Sequence, residues 1–402
     1  VAAMPAHHPL PSSPFDSIFP EDLDFDVAIL GAGPAGSACA LALHGKGLKV
    51  ALFDKESFPR DKVCGDAIPG PSFKALDYLN PAWGKQLRSF VSKEQVHSSA
   101  AILPGNKKLS YQWLSLSYNS KRLDFDHFLF NLVESETDTA LFPNHKLQKI
   151  ENYPSHVACT FQNGAKVKVG MAIGCDGAHS VVKRNLVPPT KENQTVYSAV
   201  RAYYQGVEGI KQGENEFHYI HGMPSYFWIF PLQNGWANVG FGIINDKLKK
   251  DSPPTDIRKT LDEIIAHPSL ANRFKKATQS GPVNGFALPI WTKNSPLSGQ
   301  RFLLCGDAAN LIDPLFGHGI DKALWSGILA AEQTIKAFQT KDFSPTTLQQ
   351  YDQRIEHKFG QELRLRYRLM RLMVDYPRLK NLVFSLTPPP WLLTWIIKTM
   401  KF

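Results

Sequence analysis

Three glycines at the spacing Gly31-x-Gly33-x-x-Gly36 follow the apolar run "FDVAIL", and Asp54 closes a second one, "LKVALFD". Glycines in this pattern do phosphate chemistry. The first permits a tight turn, the second lets backbone approach a pyrophosphate, and the third lets helix and strand pack closely. The helix that follows, opening at Pro34 and Ala35, turns its N-terminus toward the phosphate charge. An acid about 20 residues on accepts hydrogen bonds from ribose hydroxyls, which suits Asp54. A glycine-rich turn alone would be weak evidence. Strand, helix and acid in register favour a dinucleotide site.

Two later stretches extend that chemistry. In "GCDGAHSVVKR", Asp176 and Gly177 form a sharp turn into a helix that Ser180 can cap. In "CGDAANLIDPLFGHGID", Gly306 and Asp307 sit at a strand end, and Gly317 and Gly319 precede a long helix beginning near Ile320. Asp307 can accept from a polyol hydroxyl, while amides freed by the glycines meet an electronegative ring edge. A flavin taking up two electrons gathers negative charge at its N1 and C2 carbonyl edge, which a helix N-terminus stabilises. FAD is therefore the expected cofactor, with NAD(P)H or another reductant as electron donor.

Positioning these motifs requires an α/β fold. The expectation is a Rossmann-like FAD-binding domain with a glutathione-reductase-type βαβ opening, an inserted antiparallel β-sheet substrate domain and a C-terminal helical segment. Residues 25–95, 121–185 and 298–335 are assigned to the FAD-binding domain. Residues 96–120 and 186–297, where "VYSAVRAYYQGV", "YFWIFPL" and "WANVGFGI" alternate by twos, are assigned to the substrate domain. Residues 336–402 form the helical region, and the proline-rich residues 1–24 a flexible leader. A helix is expected from about Asp124 to Thr137, followed by three strands ending at "AKVKVGMAIGCDG".

Composition narrows the class. The 402 residues allow a large core, and five scattered cysteines read as reduced thiols, with no disulfide framework and no metal site. Cys64, in a Gly/Pro-bounded loop, is open to two readings, a reactive thiol or a turn residue. The net charge is +9. Without basic-aromatic repeats or zinc spacings, nucleic acid is not an expected partner. No run of about 18 uncharged apolar residues occurs, so a cytoplasmic protein is expected. The basic, apolar C-terminal region reads as a cap on the core. Its alternatives are peripheral contact with a membrane surface and, for the basic charge, an acyl carrier protein.

The three motifs, in this order, resemble the FAD-dependent oxidoreductases of the p-hydroxybenzoate hydroxylase superfamily and, within it, the geranylgeranyl reductase family. The resemblance covers roughly residues 25 to 335. It is carried most specifically by "FPRDKVCGDAIP", "YFWIFPLQNGWANVGFG" and "GDAANLIDPLFGHGI". It implies a pocket between cofactor and sheet, walled by Tyr226, Trp228, Phe230, Pro231 and Phe316. It also implies cofactor contacts from Lys55, Arg60, Cys64, Gly65, Arg122, Pro314 and Ile320. Without the analogy, Arg122 reads as a surface charge at a helix start. Two departures bear on mechanism. Lys183 stands where hydroxylases carry Arg, which counts against hydroxylase-style NADPH handling. Phe316-Gly317-His318-Gly319 replaces the family's Thr-Gly-Glu-Gly, putting an imidazole where a carboxylate is usual, so His318 becomes the candidate proton donor.

The expected function is reduction of carbon–carbon double bonds in an isoprenoid or other long apolar substrate, by hydride from reduced flavin N5. The alternative is a monooxygenase, a hydroxylase or epoxidase acting on an aromatic or polyketide-like compound that is free or carrier-bound. Halogenation is disfavoured, because Tyr226-Phe227-Trp228-Ile229-Phe230-Pro231 departs from the Trp-x-Trp-x-Ile-Pro of flavin halogenases. A non-catalytic lipid-binding escort is the third reading.

Overall fold

The computed structural model describes residues 23–90, 92–105, 107–189, 196–220, 225–245, 256–292 and 295–376. Nearly all of the expected leader, and the C-terminal region beyond 376, lie outside the described residues.

The chain opens with strand β1 (Phe25–Leu30), helix α1 (Pro34–Leu43) and strand β2 (Val50–Phe53). It continues through β3 (Ala67–Ile68), α2 (Gly70–Leu79), α3 (Pro81–Ser89), β4 (Glu94–Leu103), β5 (Lys107–Asn119) and α4 (Arg122–Glu136). Four strands follow, not three: β6 (Ala140–Phe142), β7 (Leu147–Asn152), β8 (Val157–Phe161) and β9 (Lys166–Gly174). The short Ala140–Phe142 strand has no alternation of its own to announce it, because it exists by pairing with β2. Next come α5 (Val181–Leu186), β10 (Val196–Gln205), β11 (Glu214–Tyr219), β12 (Ser225–Pro231), β13 (Trp236–Asn245), α6 (Ile257–Ala266), α7 (Pro268–Phe274) and β14 (Thr278–Pro289). The chain closes with β15 (Ser298–Gly299), β16 (Phe302–Leu304), α8 (Ile320–Thr340), α9 (Pro345–Ile355) and α10 (Gln361–Asp375).

The first sheet runs β15-β16-β9-β1-β2-β6, with β8 and β7 attached beyond β9. Strands β16, β9, β1, β2 and β6 are mutually parallel. All six β1 residues are buried, as a central strand covered on both faces must be. In register, Leu30 pairs with Phe53 and Gly174, and Gly174 with Leu304. The Gly31 turn, Asp54, Asp176 and Gly306 therefore emerge at one edge. Ligands of open α/β sheets bind at such carboxyl ends. Helix α1, made largely of small residues, packs closely on α8: a Cβ on Gly327 would come within 2.1 Å of the Ala35 carbonyl.

The second sheet runs β14-β10-β13-β12-β11-β4-β5-β3. It is not wholly antiparallel as expected, because β11 pairs parallel with β4. That pairing joins the early hairpin to the later strands, and β3 pairs with β5 within the same sheet. Helices α6 and α7 cover one face through Leu261 and Leu270. Helix α10 packs at the junction, with Met370 and Val374 against Tyr197, Ile290 and Ile312. Among the described residues no helix is long and apolar enough to cross a membrane.

Candidate functional site

One cavity of about 660 Å³ runs between the carboxyl edge of the first sheet and the face of the second. That is within the usual range of about 300–1,000 Å³ for ligand sites. Gly31, Gly33, Pro34, Ala35, Asp54, Lys55, Arg60, Cys64, Gly65 and Arg122 line it, as do Asp176, Gly177, Gly306, Asp307, Gly317, Gly319 and Ile320. So do His318, Tyr226, Trp228, Phe230 and Phe316. Three expected contacts do not. Gly36 is buried beneath the turn, Pro314 is buried in the loop, and Pro231 instead offers its carbonyl to Asn119 Nδ2 at 2.8 Å. Each shapes the backbone that carries a lining residue.

At the phosphate end, Gly31 has a φ of +108°, and a Cβ there would lie 2.3 Å from the Cys175 carbonyl. Helix α1 begins after Gly33 with no side-chain cap and no acid in its first turn, so its leading amides open toward the cavity. Asp54 is buried and largely committed to the turn: Oδ2 accepts from Ala32 N at 2.8 Å and Oδ1 from Glu56 N at 2.9 Å. Each oxygen keeps a second lone pair for a hydroxyl donor. Uncapped amides, bare glycine backbone and an acceptor at the rim fit an extended anionic dinucleotide.

Arg122 is not a surface charge. It is buried, with Nε 2.6 Å from Asp126 Oδ1 and Nη2 2.7 Å from Oδ2, and Arg60 Nη1 reaches the same carboxylate at 2.8 Å. Burial alone would lower the Arg122 pKa, but Asp126 overrides this and raises it, so the guanidinium stays charged. Asp126 was missed in the sequence, although the i,i+4 spacing from Arg122 was a legible signal. Lys62 was missed too; its Nζ lies 2.6 Å from Asp307 Oδ2. Asp176 Oδ2 accepts from the Val181 and Val182 amides, and Ser180 caps α5 by accepting from Lys183 N at 2.9 Å.

The loop between Cys64 and Ala67 is tied to the second sheet. Asp66 is fully buried and accepts from Tyr203 Oη at 2.7 Å and Asn238 Nδ2 at 2.9 Å, while Asn238 also donates to the Cys64 carbonyl. This favours the turn reading of Cys64. Burial pushes the Asp66 carboxyl up to about 6, although the Asn238 and Tyr203 hydrogen bonds pull it down. A carboxyl whose pKa is higher folded than unfolded stabilises the fold while protonated, and loses that contribution as pH rises through the folded value. Asp66→Asn should therefore remove a decline in melting temperature between about pH 4, the unfolded value, and about pH 6. Thermal scans across that window check this, and an unchanged slope would locate the decline elsewhere.

At the far end, the loop before α8 is organised by Asp313, a residue sequence reasoning passed over. Its Oδ1 accepts from the Leu315 and Phe316 amides at 2.8 and 3.0 Å, and its Oδ2 is paired with Arg366 of α10. Burial would raise the Asp313 pKa, but the charges of His318, Arg366 and Lys322 bring it below the ordinary carboxylate value. The His318 ring stands between two carboxylates, Nε2 3.4 Å from Asp313 and Nδ1 3.6 Å from Asp321. Glu362, 2.8 Å from Arg366, also faces the cavity. The C-terminal helices thus do more than cap the core, since α10 supplies charged groups to the site.

The profile of the FAD binding domain family matches residues 24–357. Menaquinone reductase of Mycobacterium tuberculosis is 31% identical over 320 residues, covering 76% of each chain. Digeranylgeranylglycerophospholipid reductase 2 of Methanopyrus kandleri is 28% identical over 348 residues, covering 84% of each. Among solved structures, a geranylgeranyl bacteriochlorophyll reductase-like protein from Thermoplasma acidophilum superposes with a TM-score of 0.75 at 25% identity, covering 86% of each chain. A flavin-dependent brominase shares the fold, with a TM-score of 0.75 at 21% identity over 94% of this chain and 93% of that one. The cradle at the carboxyl edge and these likenesses converge: the chain belongs to the FAD-binding-domain family and is a FAD-dependent oxidoreductase of the geranylgeranyl reductase family.

Proposed function

We propose that this protein reduces carbon–carbon double bonds of an isoprenoid or other long apolar substrate, drawing electrons from NAD(P)H or another reductant. The observation that carries the reading is the continuity of one cavity from the Gly31 turn, past Asp307 and His318, to the aromatic face of the second sheet. In this reading segments 25–95, 121–185 and 298–335 hold FAD, and 96–120 with 186–297 enclose the substrate. Gly31, Gly33, Pro34 and Ala35 take the pyrophosphate, Asp54 a ribose, and Asp307 the polyol. Gly317, Gly319 and Ile320 face the electron-rich ring edge through the uncapped start of α8. Bound FAD supplies hydride chemistry. The relatives named as reductases of menaquinone and of digeranylgeranylglycerophospholipid support an apolar substrate.

The protein's own task is then to orient the alkene, exclude water and deliver one proton. Aromatic walls do the first two. His318, whose ring lines the cavity between Asp313 and Asp321, delivers the proton. His318→Gln should slow alkene reduction by about 10²–10⁴-fold while FAD content, read from absorbance, is unchanged. An unaltered rate would assign the proton to water.

The deciding experiment reduces the FAD-loaded protein anaerobically, then adds a polyprenyl alkene or oxygen in separate arms. Alkene-dependent reoxidation yielding the saturated product supports the reading. Reoxidation by oxygen with an oxygenated product, and none by alkene, would replace it with a monooxygenase.

A further inference from the structure

Six side chains close a ring of charged groups at the start of α8. His318 Nδ1 lies 3.6 Å from Asp321, Asp321 lies 3.3 Å from Lys322 Nζ, and Lys322 Nζ lies 3.4 Å from Glu362. Glu362 reaches Arg366 at 2.8 Å, Arg366 pairs with Asp313, and Asp313 returns to His318 Nε2 at 3.4 Å. Asp313, His318, Asp321 and Lys322 belong to one loop and the first turn of α8. Glu362 and Arg366, four apart, share one face of α10.

Lys322 is the member that packing does not explain. It is 1% exposed and sits in the first turn of a helix, where the backbone dipole disfavours a cation. An apolar side chain of similar volume would fill that place without the loss of hydration. Burial would lower the Lys322 pKa, but Asp321, Glu362 and Asp313 raise it above the usual lysine value, so the ammonium stays charged. Burial likewise would raise the Asp321 pKa, yet Lys322 and His318 bring it well below the ordinary carboxylate value.

The ring thus holds three carboxylates and two fixed cations. It lacks one positive charge until the His318 imidazole carries a proton. From the second sheet, Tyr197 lies against Gly317 and Tyr226 donates to the Phe316 carbonyl; burial pushes both phenols up, so they stay neutral. Asp307, across Gly319, is already paired with Lys62 at 2.6 Å. The side chains of His318 and Glu362 are each 27% exposed, and both line the cavity, whereas Asp313, Asp321, Lys322 and Arg366 are 9% exposed or less. Protons therefore enter and leave at the first two.

We infer that Lys322 and Glu362 are positioning residues that set the proton affinity of His318, closing with Asp313, Asp321 and Arg366 a ring whose charge balances only when the imidazole is protonated. The inference rests on the proposed reduction for the use made of that proton. Giving the proton to one alkene carbon, the other having taken the hydride, leaves the ring with one excess negative charge. That excess draws the next proton back from water.

The test uses the FAD-loaded protein in its oxidised state with isotope-labelled histidine. The His318 ring, identified by its missing signal in His318→Gln, is titrated by NMR. Glu362→Gln removes a negative charge and should lower the proton affinity of the imidazole about tenfold, a fall of about one pH unit in its titration midpoint. Lys322→Met removes a positive charge and should raise the midpoint by about as much. Lost packing alone would move both the same way. A general acid works only while protonated, so the alkaline limb of kcat for alkene reduction should follow, down in Glu362→Gln and up in Lys322→Met. Midpoints that change by less than about twofold in affinity, or that move in the same direction, would overturn the inference. If Lys322→Met does not fold, Glu362→Gln decides, with Glu362→Asp expected to restore most of the wild-type midpoint. Opposed midpoint shifts in a protein that reduces no alkene would overturn the proposed function and leave this inference standing. Alkene reduction with unmoved midpoints would overturn this inference alone.

Discussion

Gly36→Ala protein is expected to emerge colourless, retaining less than about a tenth of the wild-type FAD, because the new methyl cannot fit. Its Cβ would lie 1.8 Å from the Gly31 carbonyl oxygen, 3.0 Å from the carbonyl carbon and 3.2 Å from Ile29 Cγ2. Two of these three are backbone atoms, so no rotamer relieves the clash. Helix α1 must shift away from the turn, and the uncapped amides that face the cavity shift with it. Overpacking of this kind costs about 1–3 kcal/mol or more, and here it falls on the geometry that meets the phosphates. Gly45→Ala is the control. Gly45 also has positive φ, +68°, but open space around its missing Cβ. That variant should lose about 1 kcal/mol from backbone strain and keep its colour. FAD-to-protein ratio after purification is the readout. Full occupancy in Gly36→Ala would mean the pyrophosphate does not rest on this turn.

Arg366→Leu should lower stability by about 3–5 kcal/mol, the usual cost of removing one partner from a buried ion pair. Arg366 is 2% exposed, and Asp313, its partner, 0%. The surviving carboxylate would still hold the Leu315 and Phe316 amides. It would do so without the guanidinium that offsets its burial. Asp313 has a folded pKa below its ordinary value, so its contribution is present above the unfolded value and is lost as pH falls through the folded one. Without Arg366 the folded pKa rises toward the unfolded one, so the acid-side loss from this carboxyl should shrink. The double variant Asp313→Leu/Arg366→Leu removes both charges and should recover part of the loss. Urea midpoints at neutral and mildly acidic pH measure this. A loss in Arg366→Leu under about 1 kcal/mol would show that α10 is only loosely attached to the loop.

The sequence by itself determined the parallel sheet and its cofactor. Glycines at Gly31, Gly33 and Gly36 restrict backbone through local sterics, and local sterics are legible at fixed spacing. The same holds for the Ser180 cap and for the carboxyl-edge placement of Asp54, Asp176 and Gly306, which follow from where apolar runs stop. Arg122 was named from family likeness, while its burial and its bond to Asp126 could have been read from helical spacing.

Only the tertiary structure decided the rest. Lys62 meets Asp307 across 245 positions, and Asp313 meets Arg366 across 53. Neither pairing leaves any period or composition in the chain. The parallel pairing of β4 with β11 was equally hidden, since alternation tells which face of a strand is apolar but not which neighbour it takes. His318 was named as a candidate because it stands where the family usually carries a carboxylate. Its place between Asp313 and Asp321 is local to one loop and helix start, whereas Arg366, which shares Asp313, is brought there from a distant segment by the fold.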